Sequence, residues 1–210
     1  MQNFQLPPVY PITGSLPGHN HAELAKTLLQ AGARFFQVRE KDLPDSELYE
    51  QLLQIERFCS VSQARFLVND RVDLALATQA HGVHLGQTDL PVAAARELLG
   101  ANAILGLSTH SPAQFERALK EDVDYLALGP IFATTSKNSP YPPLGTNLLK
   151  QIITNSPVPV VAIGGITLET TPEVWESGAA SVAVISDILH AEHPSDRLAR
   201  YLELAGKHFR

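Results

Sequence analysis

Residues 65–89 read RFLVNDRVDLALATQAHGVHLGQTD. A short apolar run at 65–69 gives way to a segment of helical period at 72–78, and a second apolar run follows at 82–85. Such short runs, rich in Val, Leu and Phe, suit strands, and a helix between two of them is the crossover that makes them parallel. Polar residues follow each run, Asn69-Asp70 after the first and Gln87-Thr88-Asp89 after the second. The unit reads as βαβ, with its reactive side chains beyond the C-terminal ends of its strands.

The same alternation extends in both directions. Strands are expected at 9–13, 35–39, 65–69, 82–85, 104–108, 125–129, 158–163 and 181–185. Helices are expected at 21–31, 45–58, 72–78, 91–99, 112–121, 148–154, 172–177 and 193–206. Pro44-Asp45-Ser46 with Glu47, Leu90-Pro91 and Ser111-Pro112 are start signals, since proline suits a first helical turn, and Gly32, Gly100 and Gly178 stand where helices should stop. Eight such units could also build a doubly wound open sheet. Regular spacing of about 20 to 30 residues per unit, with no insert, favours a closed (β/α)8 TIM barrel of eight parallel strands, a single domain over residues 1–210.

Composition narrows the function. The net charge of −6 and pI near 5.7 supply no basic field for nucleic acid or an anionic membrane, so any phosphate must be held by local groups and the partner should be a small molecule. Cys59 follows Leu52, Ile55 and Phe58 at helical spacing and reads as a buried structural thiol. No segment reaches the roughly 18 consecutive apolar residues of a membrane span, and the N-terminus lacks a basic leader, so a cytoplasmic protein is expected. The oligomeric state is left open, a homo-oligomer included.

In a barrel the chemistry sits at the C-terminal strand ends. Strand two ends in Gln37-Val38-Arg39-Glu40-Lys41, where alternation points Gln37, Arg39 and Lys41 one way as a cationic comb for a polyphosphate, against a reading as a solvated charge cluster. Asp70 and Asp89 at the next two strand ends are hard oxygen ligands of the kind magnesium takes; their bland readings are a helix cap and a turn. Ser108-Thr109-His110 ends strand five with no Ser-His-Asp order, so Ser108 is read as a hydrogen-bonding group and not a nucleophile. His84 and His110 are acid–base candidates that more often turn out structural. Thr134, Thr135, Ser136 and Lys137 form a donor-rich loop after strand six, with a plain surface loop as the alternative. Gly164-Gly165 and Ser186 end the last two strands, the usual phosphate side of this fold, though paired glycines also make a bare turn. These residues sort into two phosphate-binding sets, implying two phosphorylated substrates or one long one.

At this point the chain resembles the thiamine phosphate synthase family. The resemblance rests on QVREK at 37–41, VND at 68–70, GVHLGQTD at 82–89, GLSTH at 106–110, LGPIFATTSK at 128–137, AIGGI at 162–166 and VAVIS at 182–186, in order along nearly the whole chain. It implies a transferase joining an aminopyrimidine methyl diphosphate to a thiazole phosphate, releasing pyrophosphate. Carried over by motif, Gln37, Val38, Arg39, Glu40, Lys41, Asn69, Ser108 and Lys137 would hold the pyrimidine diphosphate, with Arg39, Lys41, Ser108 and Lys137 catalytic. Mg2+ would sit on Asp70 and Asp89. Thr134, Thr135, Ser136, Gly165, Ile185 and Ser186 would hold the thiazole phosphate.

Two departures from the family pattern stand out: His81, where an acidic residue is common, and NSPYPPLGTN at 138–147, where a short link is usual. The nearest competing reading is the thiazole tautomerase branch of the same fold, for which a histidine is expected at Pro130 and a weakened aspartate pair. A non-catalytic phospholigand sensor is the other, and it would have no use for leaving-group cations.

Overall fold

The computed structural model describes residues 4–16, 18–134, 141–154 and 156–209. Its strands are β1 (Val9–Pro11), β2 (Phe35–Val38), β3 (Arg65–Asn69), β4 (Gly82–Leu85), β5 (Ile104–Thr109), β6 (Tyr125–Leu128), β7 (Val160–Ile163) and β8 (Ser181–Val184). They form one parallel sheet in the order β1-β8-β7-β6-β5-β4-β3-β2. Its two edges meet where Ile12 bridges Gln37 in parallel and the Thr13 N–H donates to the Gln37 carbonyl at 2.8 Å. The closed barrel follows, and the open doubly wound sheet is excluded.

The helices are α1 (His21–Gln30), α2 (Asp45–Ser62), α3 (Val72–Ala77), α4 (Val92–Leu99), α5 (Pro112–Ala118), α6 (Gly145–Ile153), α7 (Thr171–Glu176), α8 (Ser186–Leu189) and α9 (Pro194–His208). Local chemistry sets their ends. Asn20 caps α1 in a reciprocal box with Glu23, and the Ser111 hydroxyl caps α5 with Pro112 in its first turn. Pro44 stands just before α2, as expected, and Pro91 one position earlier than expected, each at an N-cap where it can offer no capping side chain. The short α8, directly after β8, was not foreseen: four residues carry too little periodicity to register in a sequence.

Strand alternation divides the apolar residues into two layers. Phe36, Val38, Phe66, Val68, Leu126 and Leu128 point outward and pack beneath the helices, where truncating a leucine costs roughly 2–5 kcal/mol. Tyr10, Phe35, Leu67, Ile104, Tyr125 and Val161 point inward and fill the barrel. Cys59 is fully buried in the outer layer, and burial pushes its thiol up to about 12, as a structural cysteine requires. The inward residues change character along the axis: Phe35 and Ile104 start their strands at the bottom, whereas Gln37, Asn69, His84 and Ser108 stand at the C-terminal mouth.

Candidate active site

A cavity opens at that mouth. Gln37, Arg39, Asn69 and Ser108 line one side, and Thr134, Gly165, Ile185 and Ser186 line the other, so members of both sets inferred from strand ends share one space, whereas Lys41, Asp70 and Asp89 are not among its lining residues. Ile12, Ala127 and Ile163 contribute to its apolar lining. Thr135, Ser136 and Lys137 lie outside the described residues.

The strand-two motif divides in two. Gln37 and Arg39 face the cavity as alternation requires, but Val38 turns outward into the layer beneath the helices and can offer only its backbone. Glu40 is also turned away from the cavity. Its carboxylate accepts from the backbone N–H of Lys41 (2.6 Å) and Asp42 (2.7 Å), and it pairs with His21 Nε2 at 2.7 Å. Burial alone would raise its pKa, but those hydrogen bonds and His21 outweigh it and bring it down to about 2. His21 Nδ1 in turn meets Thr13 Oγ1 at 2.7 Å, so Glu40, His21 and Thr13 form a buried brace. The Arg39 N–H leans on the same threonine at 3.4 Å, which ties the brace to the cationic end of the strand. The Glu40 carboxylate is thus engaged with His21 and with the loop that presents Arg39 and Lys41, and it does not line the cavity.

Lys41 Nζ donates to Asp70 Oδ2 at the rim. Asp70 has φ +63°, and the N-cap of α3 is Arg71, so Asp70 is not the helix cap that its position suggested. Asp89 does close a turn, accepting from the Gly86 N–H at 2.6 Å, and it also approaches Asp70. Burial first, then the Asp70 carboxylate, push its pKa above the ordinary range. Two acids pressed together beside one ammonium are a place where a further cation is favoured.

Across the mouth, Gly164 (φ +100°) and Gly165 (φ +66°) adopt left-handed backbone. A Cβ on Gly164 would stand 2.6 Å from Pro130 Cα, and one on Gly165 would overlap the Ala133 carbonyl oxygen. The pair is needed first for packing the loop after β6 against the end of β7, a requirement the sequence alone does not separate from phosphate approach. Asp187, in α8, accepts from Arg197 through two nitrogens (2.8 and 2.9 Å) and from the Tyr201 hydroxyl (2.6 Å), which pins that helix to α9.

A family model described as thiamine monophosphate synthase matches residues 9–188. The chain belongs to the thiamine monophosphate synthase family. Among family relatives, the thiamine-phosphate synthase of Synechocystis sp. is 41% identical over 202 residues, covering 96% of this chain and 58% of that one. The chain thus spans little more than half the length of that relative. The thiamine-phosphate synthase of Pelotomaculum thermopropionicum is 44% identical over 175 residues, covering 83% and 80%. In three dimensions the chain is similar to thiamine phosphate pyrophosphorylase from Pyrococcus furiosus, with a TM-score of 0.86, 31% identity, and coverage of 96% and 97%.

Against the family motifs, His81 lies away from the cavity lining, with its ring edge-on to Phe66 and Nδ1 3.4 Å from the Phe66 N–H. His110 lines the cavity, stacks on Tyr141 at 4.4 Å and meets the Gly129 carbonyl through Nδ1 at 2.6 Å. His84 lines the cavity with both ring nitrogens engaged: it reaches Ser108 Oγ through Nε2 and Tyr125 Oη through Nδ1, both at 2.8 Å. Strand-end reasoning passed over Tyr10 and Tyr125 because it looked only at the tops of strands; their inward parity on β1 and β6 was the available signal.

Proposed function

We propose that this chain is a thiamine-phosphate synthase, a transferase that joins an aminopyrimidine methyl diphosphate to a thiazole phosphate. The observation that carries this reading is the one cavity lined on one side by Gln37, Arg39, Asn69 and Ser108 and on the other by Thr134, Gly165, Ile185 and Ser186. Two phosphorylated partners can then lie face to face, which supplies the proximity a bond-forming step needs. The bond from the pyrimidine methylene carbon to the diphosphate oxygen breaks, and its electron pair leaves with pyrophosphate. The thiazole nitrogen lone pair forms the new C–N bond, giving thiamine phosphate.

The methylene carbon becomes cation-like as the diphosphate departs, so the residues chiefly have to stabilise negative charge on the leaving group. Arg39, which lines the cavity, and Lys41 are assigned that role, with Lys137 assigned the same role from its motif. Gln37, Asn69 and Ser108 orient the pyrimidine, and Gly165, Ile185 and Ser186, with Thr134, Thr135 and Ser136, receive the thiazole phosphate. No protein nucleophile is required, in keeping with a serine whose neighbour is an orienting histidine.

Asp70 and Asp89 fit magnesium: both are hard oxygen donors, and burial first, then the Asp70 carboxylate, raises the Asp89 pKa. Among the described residues no third His, Cys, Asp or Glu joins them, which matches an ion that keeps waters and substrate oxygens as its other ligands. Magnesium held there would supply Lewis-acid charge to the diphosphate. Pro130, where the tautomerase reading expects histidine, lines the cavity and offers no proton-transfer group.

No helix among the described residues is long and apolar enough to cross a membrane. With small phosphorylated substrates we place the reaction in the cytoplasm, without nucleic acid or membrane partners. The test is direct: purified protein given both substrates and magnesium should release pyrophosphate. Absence of release together with tight binding of the thiazole phosphate would overturn the synthase reading.

A further inference from the structure

Beneath the cavity a chain of hydrogen bonds crosses the barrel interior. Gln37 Nε2 donates to Tyr10 Oη at 2.9 Å; Tyr10 Oη meets Tyr125 Oη at 2.9 Å; Tyr125 Oη meets His84 Nδ1 at 2.8 Å; and His84 Nε2 meets Ser108 Oγ at 2.8 Å. Five side chains from five strands, β2, β1, β6, β4 and β5, are linked end to end. Only the middle of this chain is shut away: Tyr125 is fully buried and does not line the cavity, whereas Gln37 and Ser108 do.

The barrel is hollowed for this arrangement. A Cβ on Gly106 would overlap the Tyr125 hydroxyl and come within 2.6 Å of His84 Nδ1, so the glycine of the GLSTH motif leaves the space in which these two residues meet. Burial raises both phenols well above their usual range, so each stays a neutral hydroxyl with one proton to give. Each hydroxyl in the chain therefore accepts on one side and donates on the other.

With the Gln37 amide N–H as the donor to Tyr10, that constraint gives every link one sense, and the opposite amide orientation would reverse them all. Tyr10 accepts from the Gln37 amide and so donates to Tyr125. Tyr125 then donates to His84 Nδ1, which must be an acceptor. A neutral His84 consequently carries its proton on Nε2 and donates to Ser108 Oγ, leaving the Ser108 proton directed to the cavity. At the other end, nothing among the described residues donates to Gln37 Oε1.

We propose that Tyr10, Tyr125 and His84 are positioning residues that lock Gln37 as an acceptor and Ser108 as a donor, so that the cavity selects a pyrimidine bearing an amino group over its oxo analogue. The proposal rests on the synthase reading. An aminopyrimidine offers an amino N–H beside a ring-nitrogen lone pair, the complement of an acceptor and a donor. An oxo-pyrimidine in its lactam form offers the reverse, a carbonyl oxygen beside a ring N–H. It meets a like group at each end unless all five side chains reverse together. Sites that leave buried polar groups unpaired reject the wrong ligand strongly, by about 10²-fold or more.

The wild-type protein, labelled with 15N at histidine, gives the first measurement, with the His84→Gln spectrum used for assignment. The relay requires the His84 tautomer protonated on Nε2; a tautomer protonated on Nδ1, or an imidazolium near neutral pH, overturns it. This readout needs no turnover. The second uses Tyr125→Phe, which removes one hydroxyl and keeps the ring. It should mix the His84 tautomers and reduce the kcat/KM preference for the 4-amino over the 4-oxo pyrimidine diphosphate at least about tenfold, with KM for the thiazole phosphate unchanged. An unchanged preference in a folded variant refutes the relay. A wild type that releases pyrophosphate from neither diphosphate refutes the synthase reading instead, and the tautomer then decides the relay by itself.

Discussion

At the residue scale, the QVREK segment shows how one motif can divide its work. Alternation along β2 correctly orients Gln37 and Arg39 inward and Val38 outward, but it says nothing about Glu40, which lies past the strand where period two no longer applies. Its partner His21 is nineteen residues away, on the next helix back, and such long-range pairs leave no local signature. Glu40→Gln should destabilise the fold by roughly 1–3 kcal/mol near neutral pH, because a charged acceptor of several backbone N–H groups is lost. The sign with pH follows from the lowered pKa: the contribution is complete above the ordinary glutamate range and disappears as pH falls toward about 2. Urea denaturation of the two proteins should thus show a gap that narrows on acidification, and a gap constant with pH would refute the brace.

Asp89 behaves in the opposite sense. Burial and Asp70 penalise its charged form, so a divalent cation between the two should relieve the folded state. Magnesium is expected to raise the Tm of the wild type and to leave that of Asp89→Asn nearly unmoved. Equal shifts in thermal melts of both proteins would remove Asp89 from the ligand set.

The element scale is where the sequence spoke most clearly and where one short piece escaped it. Every strand and each helix of six or more residues is within a few positions of its expected place, because β-branched runs and helical period are local properties. The four-residue α8 is specified otherwise, by Asp187 reaching Arg197 and Tyr201 on a helix that follows it. Arg197 first and Tyr201 next overcome the effect of burial and hold that carboxyl below its usual range. Asp187→Asn should cost about 2–3 kcal/mol, below the full penalty for breaking a buried pair since both partners keep some solvent exposure. Because Ser186 begins the same helix, steady-state kinetics should show KM for the thiazole phosphate rising several-fold with that for the diphosphate little changed. Equal changes in both would mean that α8 does not separate the two subsites. Similarly, Gly164→Ala places a side chain against Pro130 at φ +100° and should lower stability by roughly 1–3 kcal/mol through strain, read as a lower Tm.

At the scale of the whole molecule, the closed barrel brings eight strand ends separated in sequence around one mouth, and function was readable to the extent that it sits on those ends. The tyrosine link below was not, since Tyr10 and Tyr125 stand away from the C-terminal strand ends and meet only when the sheet curls and β1 faces β6. The acid pair at the rim and the donors around the cavity together suit a reaction driven by leaving-group electrostatics. The most direct measurement is pyrophosphate release from the two substrates by the wild type, first with magnesium chelated and then with it restored. The account predicts release that requires both substrates, stops on chelation and returns with magnesium. Release that continues unchanged in the chelator, or fails in full magnesium, would contradict it.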